Sequence, residues 1–499
     1  METLFGRALI LFAVCLAISS KSVCAAESTG LTVDWNKTTQ VSKTHPTLQV
    51  VVNPLLRKGS PIHREAFRAL RDLRAEYVRY AFWYPYPQLG VAALEAPQNG
   101  RTSWDFSLID PLMKDFLEAS PNDSNIICFC TIPAWMFKTG YKVYYGKTPN
   151  EEVWSYPDGT ELRDPTNREL GRYYARLVEW YTKGGFTDEA GTRRVSGLNY
   201  KINYWEVFNE PEFEHQMTPE QYTARYDAIV TEIAKVAPQM KFVGISLAYP
   251  AKQPRFFEYF LDPRNHRKGV PLDMISYHFY AQPTGDQPVE THQYTMFEQA
   301  DKFIETVRFI ESIRRRRSPQ TRTTINEAGS ILPDDIRQGE AGKVYRTDAY
   351  WNLSGAMFAY LYANLAAQGI DVVGESQLVG FPGQFPSVTM LDWETGRPNA
   401  RYRVLKLLID NFSPPLKMVE TGLKNPYVHA QGFVDAAGKK KILLINKRDR
   451  QFEIEIPGAR GGSIARIDAE TKNAPPVTEK IGQDKIVLNG FAVAAIELK

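Results

Sequence analysis

The chain has 499 residues, 43% of them hydrophobic and 23% charged, with a formal charge of +3 at pH 7. That length and balance suit one large α/β barrel with a smaller companion, and exclude a disordered chain or a small stapled scaffold. The near-neutral charge argues against a nucleic-acid partner: the one basic cluster, residues 314–317, follows an amphipathic stretch at 303–313 and reads as solvated cations at a helix C-terminus.

In chain order, the first 26 residues stand apart. Arg7 precedes an apolar run over 8–18, and the small residues Cys24, Ala25 and Ala26 stand before Glu27. This is the layout of a signal peptide cleaved near Ala26, and the run falls short of the roughly 20 apolar residues that a membrane span needs. The expected product is secreted or periplasmic, with no stable membrane insertion once residues 1–26 are gone. Its charge falls from +3 to +2, because Arg7 and Lys21 leave together with Glu2. Residues 27–47 form an N-terminal segment, in which an early strand near 31–35 is a candidate to join a later sheet.

Short β-branched or aromatic runs then recur at 48–53, 77–81, 125–131, 203–208, 241–246, 273–277, 323–326 and 371–374. Amphipathic stretches separate them, as at 64–73, 106–119, 169–183, 219–236 and 349–368, with apolar residues three and four apart. Alternating strands and helices imply parallel pairing, and eight repeats imply closure. Residues 48–412 are therefore predicted to form an α/β fold, a (β/α)8 TIM barrel. Cys128 and Cys130 share one face of the third strand, with Cα atoms about 6.5–7 Å apart. That is the upper limit for a disulfide, so both read as buried apolar fillers. After residue 412 the texture changes to short alternating runs at 428–434, 442–446, 452–456, 464–468, 486–488 and 491–498, separated by turn formers such as Gly461-Gly462 and Asn489-Gly490. This predicts a small antiparallel β-sandwich over 413–499.

A barrel of this kind carries its chemistry at the C-terminal ends of its strands. The fourth strand reads Tyr204-Trp205-Glu206-Val207-Phe208-Asn209-Glu210-Pro211, where proline stops the ladder directly after Glu210. The seventh reads Thr323-Thr324-Ile325-Asn326-Glu327-Ala328-Gly329 and delivers Glu327 into a loop that Gly329 makes permissive. Two glutamates on separate strand ends can meet across the barrel mouth. Cleavage of a glycosidic bond needs such a pair, one carboxyl protonated and one ionised. Glu206 shares strand parity with Glu210 but lies about 13 Å down the strand, and reads as a buried ion-pair partner. Glu212, Glu214 and, at the end of the eighth strand, Glu375 are rivals by position.

On these residues the chain resembles the superfamily of retaining (β/α)8 glycosidases that carry acid/base and nucleophile after strands four and seven. It is most similar to the β-xylosidase and α-L-iduronidase type, in which a β-sandwich follows the barrel. The resemblance implies that Glu210 is the acid/base, that Asn209 hydrogen-bonds the sugar 2-hydroxyl and that Glu327 is the nucleophile. Ser276-Tyr277-His278-Phe279-Tyr280 on the sixth strand is similar to the family's His-x-Tyr, so Tyr280 is expected to donate to Glu327 and His278 to line the same pocket. Arg79, on the second strand, matches an arginine that helps keep the nucleophile ionised.

Sugar sites combine aromatic faces with polar edges. Phe82-Trp83-Tyr84-Pro85-Tyr86 follows strand two and Ile132-Pro133-Ala134-Trp135 follows strand three. The Pro-Ala-Trp segment resembles the family's loop after strand three, which makes Trp135 the first choice of stacking platform and Trp83 the second. Metal, nucleotide and serine-hydrolase signatures do not occur: there is no His-Glu-x-x-His, no Walker loop, no Gly-x-Gly-x-x-Gly and no Gly-x-Ser-x-Gly. No cofactor is expected. The reading is a retaining, exo-acting, xylosidase-like glycosidase with a carbohydrate substrate. The alternatives are an endo-acting β-glucanase or mannanase on the same barrel, or a non-catalytic carbohydrate-binding protein derived from it.

Overall fold

The computed structural model describes residues 28–140, 142–156, 159–335 and 346–499. The signal peptide expected over 1–26 lies outside them. Among the described residues no helix is long and apolar enough to cross a membrane.

Eight strands close into a parallel barrel. In chain order they are His45–Val51, Arg79–Phe82, Ile126–Phe129, Tyr204–Glu206, Lys241–Leu247, Met274–Ala281, Arg322–Ser330 and Val372–Glu375. Each pairs with the next, and the eighth pairs back with the first through Val372↔His45. These segments run as near-continuous apolar stretches because helices cover one face and barrel-filling side chains the other; Ile126–Phe129, for example, is buried at every position.

Local signals set the helix limits. Helix Pro219–Val236 starts with proline in its first turn, behind a Thr218/Gln221 capping box. Helix Asp348–Gln368 starts at a Thr347 cap and ends at Gly369, whose φ of 81° is the left-handed conformation of a C-terminal stop. Helix His292–Arg317 is longer than the 303–313 stretch that marks it in sequence. Its terminal arginines are not simply solvated. Arg316 and Arg317 pair with Glu258, Arg317 also reaches Asp262 at 2.9 Å, and Arg314 lies 2.8 Å from Glu311.

Beside the barrel lies a nine-stranded, mainly antiparallel sheet folded over its own apolar core of Leu31, Leu444, Ile454, Leu488 and Ile496. Strand Ser28–Ser42 pairs antiparallel with Leu416–Leu423 and, at its start, parallel with Phe452–Glu455. Two strands carry no clear sequence signal. Leu416–Leu423 follows directly on Pro414-Pro415, and Val477–Lys480 is an edge strand exposed at every position, with no buried face to mark it.

Candidate active site

Arg79, from the second barrel strand, crosses the floor of the barrel mouth and is 1% exposed. Its guanidinium is fully engaged. Nε donates to Glu206, Nη1 to Gln49 Oε1 and Glu327 Oε1 (both 2.6 Å), and Nη2 to Asn209 Oδ1 (2.6 Å). Glu206 also accepts from Ser276 and Asn326, each at 2.7 Å, so this charge deep in the barrel has its oxygens occupied. Glu206 is thus the buried ion-pair partner that its strand parity predicts.

Glu210 and Glu327 come together above this floor. The fourth strand ends at Glu206, and the chain then turns through left-handed residues, Phe208 at φ 67° and Glu210 at φ 40°. The Glu210 N–H donates to the Ser246 carbonyl at 2.9 Å, which ties the turn to the fifth strand. The pairing of the sixth and seventh strands shifts register between Ile325 and Glu327. Glu327 Oε2 then accepts from the Tyr280 hydroxyl at 2.5 Å, and Ser376 Oγ lies 2.7 Å from the same hydroxyl. His278 Nδ1 is 2.8 Å from Glu210 Oε1 and 3.5 Å from Glu327 Oε2, while its Nε2 is 3.0 Å from Ser246 Oγ. One ligand atom each of Glu210, His278 and Glu327 lie within 4.8 Å of one another. A metal could be held at that spacing, but both oxygens of Glu327 are already engaged, by a guanidinium and a phenol.

Electrostatics separate the roles of these groups. Burial pushes the Glu327 carboxyl upward, but the charges of His278 and Arg79 and the hydrogen bonds from Tyr280 and Arg79 outweigh it and hold the group below the ordinary carboxylate range. Burial opposes charge on His278 too, and the neighbouring Glu327 and Glu210 reverse that, raising its affinity for a proton. Glu327 therefore sits where a permanently ionised carboxylate is favoured.

The cavity over these groups holds about 700 Å³. Glu210, Glu327, Asn209, His278, Tyr280, Arg79 and Trp83 all line it, as does Gln49. One wall is aromatic: Trp83 meets Trp154 edge-on at 5.3 Å between ring centroids and Phe385 at 6.1 Å. Trp135 does not line the cavity, which corrects the expectation for the Pro-Ala-Trp loop. Its indole N–H donates to the Ala93 carbonyl at 2.8 Å, and the Arg163 guanidinium covers its ring at 4.3 Å. Trp154 stands in the cavity instead, with its own N–H 3.1 Å from Glu152. Trp154 escaped sequence reading because it lies in the long irregular stretch between the third strand and helix Arg168–Thr182, where no periodicity assigns a direction. Gln49 carried a readable signal, as a polar residue set between the apolar Leu48 and Val50. The rival Glu375 is buried 2.9 Å from Arg401, away from the cavity. Cys128 and Cys130 are free and buried.

No family model and no curated sequence matches the chain. Solved structures do match in fold. A GH51 arabinofuranosidase from Xanthomonas axonopodis pv. citri superposes with a TM-score of 0.65 at 12% identity, covering 95% of this chain and all of that one. An α-L-arabinofuranosidase from Thermotoga maritima gives 0.61 at 14% identity, over 94% of this chain and 100% of its own. A GH30 endoxylanase from Clostridium papyrosolvens gives 0.57 at 13%, over 94% and 100%. At these identities the likeness establishes the architecture, a closed (β/α)8 barrel with an attached β-sandwich, and the narrower resemblance to β-xylosidases and α-L-iduronidases rests on the motifs alone.

Proposed function

We propose that the chain is a retaining glycoside hydrolase acting on pentose-bearing fragments of polysaccharide, with exo action at a single sugar end. The observation that carries this reading is the opposition of Glu210 and Glu327 across the cavity floor, with carboxylate oxygens within 4.8 Å. Retaining enzymes keep their two carboxyl groups about 5–5.5 Å apart, whereas inverting ones leave about 6.5–9.5 Å for a water. Three similar structures are those of two arabinofuranosidases and an endoxylanase, which supports a pentose-containing substrate. Export with loss of residues 1–26 fits such a substrate.

In the first step Glu210 gives its proton to the glycosidic oxygen while a Glu327 oxygen bonds to the anomeric carbon and the carbon–oxygen bond breaks. In the second, Glu210 takes a proton from water, whose oxygen attacks the same carbon and restores Glu327 as carboxylate. His278 orients the Glu210 carboxyl through Nδ1, and Arg79 and Tyr280 hold Glu327 ionised and aimed. Asn209 reaches the 2-hydroxyl, and Trp83 with Trp154 offers the stacking wall that Trp135 does not. Incubation with mechanism-based inhibitors of several pentose and hexose types, followed by peptide mapping, tests the reading. A covalent sugar adduct on Glu327 is expected; an adduct on Glu375, or none with any sugar, overturns it.

A further inference from the structure

Glu214 belongs to none of the roles above and does not line the cavity, yet it touches two residues that do. A single carboxyl oxygen, Oε1, accepts the Trp83 indole N–H at 2.6 Å and the Asn209 side-chain amide N–H at 2.8 Å. Asn209 has no freedom to turn over. A guanidinium offers only donors, so the amide oxygen must face Arg79, at 2.6 Å, and the amide nitrogen must face Glu214. That leaves one amide hydrogen of Asn209 for a ligand. An unbroken chain of contacts thus runs from the nucleophile Glu327 through Arg79, Asn209 and Glu214 to the aromatic wall at Trp83.

We propose that Glu214 is a positioning residue of this site: through one oxygen it sets both the Asn209 amide and the Trp83 ring, so that the hydroxyl donor and the stacking wall meet the same sugar. The proposal rests on the glycosidase reading for its ligand, but not for its geometry. Burial first, then the neighbouring charge of Glu210, push the Glu214 carboxyl well above the ordinary range. That favours the neutral acid, and the oxygen that accepts both N–H groups is one that glutamine reproduces and leucine does not.

The test compares Glu214→Gln with Glu214→Leu. On an aryl glycoside with a 2-hydroxyl, Glu214→Gln is expected to keep kcat/KM within about 3-fold of the parent, while Glu214→Leu loses about 10- to 100-fold, the range of one lost charged or buried hydrogen bond. On the matching 2-deoxy glycoside, Glu214→Leu is expected to lose clearly less than on the 2-hydroxy substrate, because the hydroxyl contact is already missing and only the Trp83 wall remains to be disturbed. A merely structural residue would lower both substrates equally in Glu214→Leu, and that result overturns the proposal. A second readout needs no turnover. The Trp83 indole N–H resonance, assigned by its absence in Trp83→Phe, is expected to keep its hydrogen-bonded shift in Glu214→Gln and to move upfield in Glu214→Leu. An unmoved resonance overturns the proposal, whereas inactivity of the parent on every glycoside with the expected resonance shifts present sinks only the glycosidase reading. Should Glu214→Leu fail to fold, Glu214→Asp, shorter by one methylene, takes its place with the same expected losses.

Discussion

Replacing Arg79 with methionine keeps the length and much of the apolar stem but removes all five N–H donors from a side chain that is 2% exposed. Glu206 and Glu327 lose their shared cation, and Asn209 and Gln49 lose the donor that fixes them. Stripping one partner from a buried ion pair costs about 3–5 kcal/mol. An unfolding entropy of about 2.1 cal/mol/K per residue over 499 residues comes to about 1 kcal/mol/K, so the expected fall in Tm is about 3–5 °C. The sharper expectation is kinetic. The Arg79 charge helps hold the Glu327 carboxyl down, so the acid limb of the kcat/KM profile, which reports ionisation of Glu327 in the free enzyme, should move upward. Initial rates on an activated aryl glycoside between pH 3 and 8, alongside a thermal melt at each pH, give both numbers. A lowered Tm with an unmoved acid limb would mean that Arg79 only supports the barrel, and the account of how Glu327 stays ionised would be wrong.

Glu210→Gln should spare the first chemical step on aryl glycosides with good leaving groups, and slow natural glycosides by about 10²- to 10⁴-fold, the contribution of a positioned general acid. Equal losses on both substrate types, measured by burst and steady-state kinetics, would remove Glu210 from that role. His215 is buried beside Phe137, with neither ring nitrogen hydrogen-bonded, and burial, reinforced by Arg225, lowers its pKa to about 3. The unfolded chain binds this proton from about pH 6.5 downward and the folded one does not. The neutral ring's contribution is therefore fully present above pH 6.5 and drains away toward pH 3, by about 3 kcal/mol at pH 4. Melts from pH 4 to 7 should consequently be flatter for His215→Leu than for the parent; parallel curves would contradict this.

The parts of the site that could be read from sequence are those fixed by strand direction. Parity and a terminating proline place Glu206 inside and Glu210 at the rim, the barrel rule supplies Glu327 at another strand end, and Arg79, His278 and Tyr280 come from the resemblance to the glycosidase superfamily. What could not be read depends on loops. Trp135 and Trp154 lie in one long irregular stretch, and only the packing of Arg163 on the first and the opening left beside Trp83 decide which of them faces the cavity. The same limit applies to Glu214. Nothing in Pro211-Glu212-Phe213-Glu214 says which carboxyl turns inward, because that follows from the left-handed turn at Glu210, a conformation that the sequence does not announce.

The strand at Ser28–Ser42 has a consequence for anyone recombining this protein. It contributes to the β-sandwich from ahead of the barrel, with partners about 390 residues away along the chain, as between Thr32 and Gly422. The sandwich is therefore not a detachable cassette. Cutting after residue 412 would strip Ser28–Ser42 of both neighbours, and grafting a foreign module there would leave an orphan edge open to another molecule. On the ribosome, this early segment has to wait for strands about 390 residues further along before its hydrogen bonds can close.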